Sequence, residues 1–248
     1  MKKILVVLLL SACSALNIPD DFVYKEIETP YFRLASWQKI SDKSSPFKIY
    51  IEGDGAAFRS SGIASSNPTP KGILLREIAF GDKNENVIYL ARPCQFVDDI
   101  KCETKYWSLA RFSPEVVMST YYAIKNIAKN NDITLVGFSG GAQISGLVAV
   151  KYNDLKIKKL ITIAGNLDVE TWINHHNVTP LYLSETLTPY KAEYKKFPQI
   201  HYVGTEDTII PYNITKNFIG DENKIITIDS ASHTKGWNSI YDEIRQQY

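Results

Sequence analysis

From about residue 47 to its end the chain alternates short apolar runs, rich in β-branched residues, with longer stretches of helical rhythm. The run FKIYIEGDG (47–55) switches between apolar and polar positions and then meets two glycines, the pattern of a strand running into a loop. ENVIYLARP (85–93), DITLVGF (132–138), KKLITIAG (158–165), QIHYVG (199–204) and NKIITIDS (223–230) read as further strands. SPEVVMSTYYAIKNIAKNN (113–131) predicts a helix. Ser113 stands at its cap, Pro114 in its first turn and Glu115 next, and Val116, Val117, Tyr121, Ile124, Ile127 and Ala128 keep helical spacing. Residues 140–152, 212–218 and 237–248 predict three more helices. Strands and helices in one such series predict a mostly parallel sheet with helices on both faces. No internal repeat or linker interrupts it, so 47–248 reads as one domain.

Ahead of this series, 13–46 is a polar lead-in with Pro19, Pro30 and Pro46, in which YFRLASWQKI (31–40) predicts an early edge strand. SSGIASSNPTPKG (60–72) is loop-like, and 166–197, with Pro180 and Pro189, is long and irregular. The first residues are of another kind. MKKILVVLLLSAC places two lysines before an apolar run and ends on small residues, the make-up of a secretory signal. The apolar run is far shorter than the roughly 20 residues a membrane span needs. Leu10-Ser11-Ala12-Cys13 resembles the bacterial lipoprotein box, which implies a signal peptide over 1–12 and a lipid on Cys13. An ordinary signal cut nearby, with Cys13 incidental, is the plainer alternative. In the enterobacterial sorting pattern, Ser14 after that cysteine favours the outer membrane, on its periplasmic face. The implied location is a bacterial envelope, with the membrane as a partner through the lipid.

Composition adds little beyond exclusions. At 248 residues, with 44% hydrophobic and 22% charged residues, the chain can bury a sizeable core. Its formal charge of +1 and its lack of basic runs give no reason to expect nucleic acid as a partner. Removing 1–12 deletes Lys2 and Lys3 and no acid, which takes the charge to −1. Of three cysteines, Cys94 and Cys102 flank CQFVDDIKC, and in an oxidising compartment they read most simply as a disulfide. A metal role is the weaker reading, because no histidine or further cysteine sits nearby.

The chemistry centres on Gly137-Phe138-Ser139-Gly140-Gly141. This Gly-x-Ser-x-Gly pattern lies between a predicted strand and a predicted helix, the context in which a serine is held on a strained turn. A serine hydroxyl needs a base to take its proton, and the base needs an acid to orient it. Here the chain resembles the α/β-hydrolase superfamily, whose order along the chain is serine, acid, histidine. His233, in DSASHTKGW after the last strand, lies where that superfamily carries its base. His201 falls inside a strand, and His175 and His176 fall in the irregular section and read as lid or surface residues. For the acid, Gly204-x-x-Asp207-x-x-x-Pro211 resembles the superfamily's acid turn and selects Asp207 over Glu206; the competitor is Asp168 in AGNLD. The resemblance assigns one oxyanion amide to Gly140 and the other to Asp54 or Gly55, in the Glu52-Gly53-Asp54-Gly55 turn that replaces the usual His-Gly.

The resemblance implies a serine hydrolase acting on a small acyl substrate, an ester or thioester, with peptidase and acyltransferase variants open and neither metal nor cofactor called for. The 166–197 stretch falls where the superfamily inserts a short cap, and its Trp172, Tyr182 and Tyr190 could line an acyl pocket or simply pack. The competing class is a catalytically silent lipoprotein that uses the same fold to bind a partner or an envelope component.

Overall fold

The computed structural model describes residues 18–246. Residues 1–17, which include the expected signal sequence and Cys13, lie outside the described residues. One eight-stranded sheet organises the described residues, in the order β1-β2-β4-β3-β5-β6-β7-β8. Its strands are β1 (Val23–Glu28), β2 (Arg33–Ile40), β3 (Phe47–Ile51), β4 (Asn86–Leu90), β5 (Ile133–Phe138), β6 (Ile157–Ile163), β7 (Gln199–Gly204) and β8 (Ile225–Ile228). Pairing is antiparallel where β2 meets β1 and β4, and parallel everywhere else. The sheet therefore begins well before residue 47. The strand expected at the edge, β2, lies inside it with β1 outermost. The edge strand VYKEIE buries only Ile27, so it carries no apolar period that would mark it as a strand.

Among the described residues seven α-helices flank the sheet: α1 (Leu74–Phe80), α2 (Pro114–Ala128), α3 (Gly140–Lys151), α4 (Val169–His176), α5 (Lys191–Tyr194), α6 (Tyr212–Ile219) and α7 (Tyr241–Gln246). Side-chain alternation along each strand divides the core in two. Ile49, Ile51 and Leu135 face a layer with Val117 and Ile124 of α2, Ile144 and Leu147 of α3, and Phe218 of α6. Their neighbours Tyr50 and Val136 face the other way, against Leu75 and Ile78 of α1, Ile244 of α7, and Trp237. Helix α3 lies between the sheet and its neighbours and is buried from Gly140 to Ala149.

Helices α4 and α5 fall in the stretch that reads as irregular, and α1 falls just after the loop-like 60–72, where the sequence pattern assigns no element. Helix α1 has only seven residues and no side-chain cap. Helix α4 sits inside 166–197, a stretch that also sends Leu181, Leu187 and Tyr194 into the core. Topology then fixes where a site can form. The chain crosses from β3 outward to β4 and back past β3 to β5, so the loops leaving β3 and β5 diverge at the carboxyl end of the sheet and open a crevice there.

Candidate active site

Ser139 stands at the junction of β5 and α3 with φ 50° and ψ −120°, a left-handed conformation that costs a non-glycine residue about 1–3 kcal/mol. Its backbone is held from three sides. The amide donates to Ile163 O (3.0 Å), and the carbonyl accepts from Asn166 N (3.0 Å) and Ala142 N (3.1 Å). The turn also packs too closely for side chains. A Cβ at Gly141 would overlap Ile51 O and lie 2.6 Å from Glu52 O, which explains the glycine by contact with β3.

The three residues of the ordered set come together. His233 Nε2 lies 3.0 Å from Ser139 Oγ, and His233 Nδ1 lies 2.9 Å from Asp207 Oδ2. With a carboxylate on one side and a hydroxyl on the other, Nδ1–H donates to Asp207 and Nε2 is left to accept the serine proton. The side chain of Asp207 is fully buried, and its other oxygen accepts from Ile209 N (2.8 Å) and Ile210 N (2.9 Å). Two amides and an imidazole thus fix the carboxylate. The His233 ring lies 5.3 Å from that of Phe138.

The other candidates sit elsewhere. Asp168 caps α4, accepting from Thr171 N (3.0 Å). His201 lies in the core between Thr162 Oγ1 (2.8 Å) and Gln199 Oε1 (2.9 Å). His176 meets Ile209 O (2.8 Å), as does Trp172 through Nε1 (2.9 Å), tying α4 to the Asp207 loop, and His175 is exposed. Ser113 occupies the cap position of α2, but its hydroxyl makes no capping bond.

Around the turn Glu52–Gly55 the structure adds residues that sequence reasoning passed over. The Asp54 carboxylate is gripped by two arginines: Oδ1 pairs with Arg92 Nη1, and Oδ2 lies 2.8 Å from Arg111 Nη1. Burial alone would raise the Asp54 carboxyl; the Arg111 and Arg92 charges outweigh it and hold the group below its ordinary range. Gln95 Nε2 donates to Gly53 O (3.0 Å), and Gln95 Oε1 accepts from Arg92 N (3.1 Å). Glu52, buried, accepts from Gly53 N (2.8 Å) and Tyr89 Oη (2.6 Å); burial pushes its carboxyl above the ordinary value against the pull of those bonds. Cys94 and Cys102 are joined by a disulfide in the loop that supplies Arg92 and Gln95. The result is a fixed turn whose Asp54 and Gly55 amides have no hydrogen-bond partner among the described residues. Asp54 Oδ1 rests where a Cβ of Gly140 would be, so the turn lies directly against the start of α3. Asp54 and Gly55 both line the cleft with Ser139.

Ser139 and His233 open into a cleft of about 1270 Å³. Leu74, Leu75, Phe138, Leu109, Trp172 and Leu181 give it an apolar lining, with Arg111 and Tyr241 among them. The 166–197 stretch therefore contributes Asn166, Trp172, Asn177, Val178, Thr179 and Leu181 to the cleft, whereas Tyr182 and Tyr190 do not line it. Among the described residues no group of three or more side chains is placed to hold a metal ion, and no helix is long and apolar enough to cross a membrane.

Solved structures share this architecture. The chain is similar to Est1E from Butyrivibrio proteoclasticus, with a TM-score of 0.60 and 14% identity over 90% of this chain and 94% of that one. It is also similar to an alpha-beta serine hydrolase homologue from Coxiella burnetii (TM-score 0.55, 16% identity, 90% and 94% covered). A Pyrococcus furiosus esterase, Pf2001, matches with a TM-score of 0.57 at 14% identity, covering 90% of this chain and 89% of that one. No protein-family model and no curated protein matches the chain. The fold is the α/β-hydrolase fold.

Proposed function

We propose that this protein is a serine hydrolase that cleaves a carboxylic ester or thioester through Ser139, His233 and Asp207. The observation that carries the reading is the unbroken relay from Ser139 Oγ to His233 Nε2 (3.0 Å) and from His233 Nδ1 to Asp207 Oδ2 (2.9 Å) at the floor of an open cleft. Ser139 Oγ attacks the acyl carbon while its proton passes to His233 Nε2, and Asp207 stabilises the imidazolium that forms. The carbonyl oxygen, now negative, is bound by the amides of Gly140 and of Asp54 or Gly55. His233 then gives the proton to the leaving oxygen or sulfur as its bond to carbon breaks. Water, deprotonated by the same imidazole, releases the acid and restores Ser139. The esterase and serine hydrolase titles of the structural neighbours support this class of chemistry. We place the protein at a bacterial envelope, anchored by a lipid on Cys13; that part rests on the sequence of residues 1–13 alone.

The test is labelling of the full-length protein with a fluorophosphonate, beside Ser139→Ala and His233→Ala. Wild type is expected to label, Ser139→Ala not at all, and His233→Ala at least about 1,000-fold more slowly. A folded wild-type protein that stays unlabelled would instead indicate a silent fold that binds a partner. Incorporation of a palmitate analogue, lost in Cys13→Ala, checks the anchor.

A further inference from the structure

Most of the cleft wall is apolar, but two polar side chains beside Ser139 retain unused bonding capacity. Asn166, only 5% exposed, uses its backbone amide to hold Ser139 O, and neither end of its side-chain amide has a hydrogen-bond partner among the described residues; Oδ1 is fully buried. Oδ1 is an acceptor that a carboxylate cannot pair, so what the side chain offers a ligand oxygen is its Nδ2 donor, which has no partner among the described residues. Arg111, 6% exposed, donates from Nε to Ser108 O (2.8 Å) and from Nη1 to Asp54 Oδ2 (2.8 Å), and its Nη2 has no partner among the described residues. Its guanidinium lies 5.1 Å from the ring centre of Phe58 and 5.8 Å from that of Trp172, which fix its plane within the cleft.

Charge points the same way. One carboxylate, Asp54, faces two guanidiniums, Arg92 and Arg111. Glu52, next to this group, is engaged by Gly53 N and Tyr89 Oη, and Arg76 opposes its charge ahead of Arg92. Of the remaining charged side chains that line the cleft, Lys71 and Lys235 are positive, and Glu77 accepts a bond from Tyr241 Oη. Over the cleft lining three acids (Glu52, Asp54, Glu77) balance three bases (Lys71, Arg111, Lys235), but locally Asp54 answers only one of the two charges of Arg92 and Arg111. The direction is fixed by the proton relay. His233 must deliver its proton to the leaving atom, so the leaving group departs beside His233, whose ring packs near Phe138. Arg111, held on Asp54, and Asn166, held on Ser139 O, are not bonded to His233 among the described residues, and we assign them to the half of the substrate that stays on Ser139.

Taking Ser139 as the nucleophile proposed above, we infer that Arg111 and Asn166 form a subsite for a carboxylate carried by the acyl half of the substrate, as in a hemi-ester of a dicarboxylic acid. The planar guanidinium suits a carboxylate, and the adjacent amide can donate to its second oxygen.

The test pairs p-nitrophenyl hemi-esters of succinic, glutaric and adipic acid with uncharged p-nitrophenyl esters of equal chain length, using the full-length protein. The ratio of kcat/KM, charged over neutral, is the readout. Wild type is expected to favour at least one charged ester by about 10- to 100-fold. Arg111→Met should collapse that ratio towards one, Arg111→Lys should restore part of it, and Asn166→Leu should lower it. A second measurement needs no variant: free glutarate should slow fluorophosphonate labelling of wild type, and glutaramide should not. Equal cleavage of both series by wild type, or a ratio unmoved by Arg111→Met, overturns the subsite while leaving Ser139 labelling, and so the hydrolase reading, intact. Absence of labelling would remove both.

Discussion

His201 and His233 share a side chain and differ in everything that surrounds it. His233 is partly open to the cleft, whereas His201 is wholly buried on β7. Gln199 gives both its amide hydrogens to Tyr194 O (2.9 Å) and Phe197 O (3.0 Å), so its oxygen faces His201 Nε2, which must donate. Thr162 then donates to Nδ1, and the neutral ring is satisfied at both ends. Burial, with a smaller push from the Lys224 charge, lowers this imidazole to about 3. The folded value lies below the unfolded one, so the unfolded chain binds the extra proton first. The contribution to stability is complete above about pH 6.5 and drains away as pH falls towards about 3, by roughly 1 kcal/mol per pH unit. His201→Gln, which cannot titrate, should flatten the pH dependence of urea unfolding between pH 4 and 6.5; parallel curves for the two proteins would refute the assignment. The same scale shows why some site residues were legible and others were not. Ser139, Asp207 and His233 each sit in a local pattern with its own spacing, so the sequence alone could single them out. Asn166 and Arg111 carry no such pattern. Their significance arises only when the end of β6 and the loop before α2 meet at the cleft.

Among the elements, the connection from β4 to the helix-like turn at 104–107 does more than link strands. Arg92 and Gln95 reach from it to Asp54 and to Gly53 O, and the Cys94–Cys102 disulfide closes the loop immediately behind them. The turn that offers the Asp54 and Gly55 amides is therefore held by a neighbouring loop as well as by β3. Replacing both cysteines by serine should cost about 2–3 kcal/mol through loop-closure entropy, measured by denaturant unfolding. It should also slow fluorophosphonate labelling by about tenfold or more under conditions where the protein stays folded, since a misplaced oxyanion donor costs up to 100- to 1,000-fold. Unchanged labelling in the folded variant would mean that the loop braces the fold and not the turn. The disulfide pairing was readable from cysteine spacing, but its target was not, because 91–102 and 52–55 are adjacent only across the β3–β4 pairing. Elements follow the same division. Strands buried on both faces announced themselves as apolar runs, whereas β1 is polar on nearly every side and α1 is too short to show a period.

Across the whole molecule the two ends of the parallel strands have different tasks. The carboxyl ends of β3, β5, β7 and β8 deliver Asp54, Ser139, Asp207 and His233, where backbone strain and open amides are concentrated. At the amino end of β3, Lys48 is buried against Asp82 (3.2 Å), beyond the end of α1, and donates to Ile244 O (2.5 Å) and Arg245 O (2.9 Å) of α7. Asp82 also accepts from Tyr50 Oη (2.5 Å) and from Asn84 N (2.9 Å). One ion pair thus ties the central strand to two helices that form the α1–α7 face, which contributes Leu74, Leu75 and Tyr241 to the cleft. Burial lowers the Lys48 amine, opposed by the Asp82 charge, and removing one partner leaves the other buried and uncompensated. Lys48→Met should therefore lower stability by about 3–5 kcal/mol in urea unfolding, and adding Asp82→Leu should recover part of that loss. Because this pair lies at the end of the sheet opposite to Ser139, the folded single variant should label with fluorophosphonate at close to the wild-type rate. A large loss of labelling in a variant shown to be folded would mean that the two ends are coupled through α1 and α7. The division between a rigid amino end and a strained, reactive carboxyl end would then have to be abandoned.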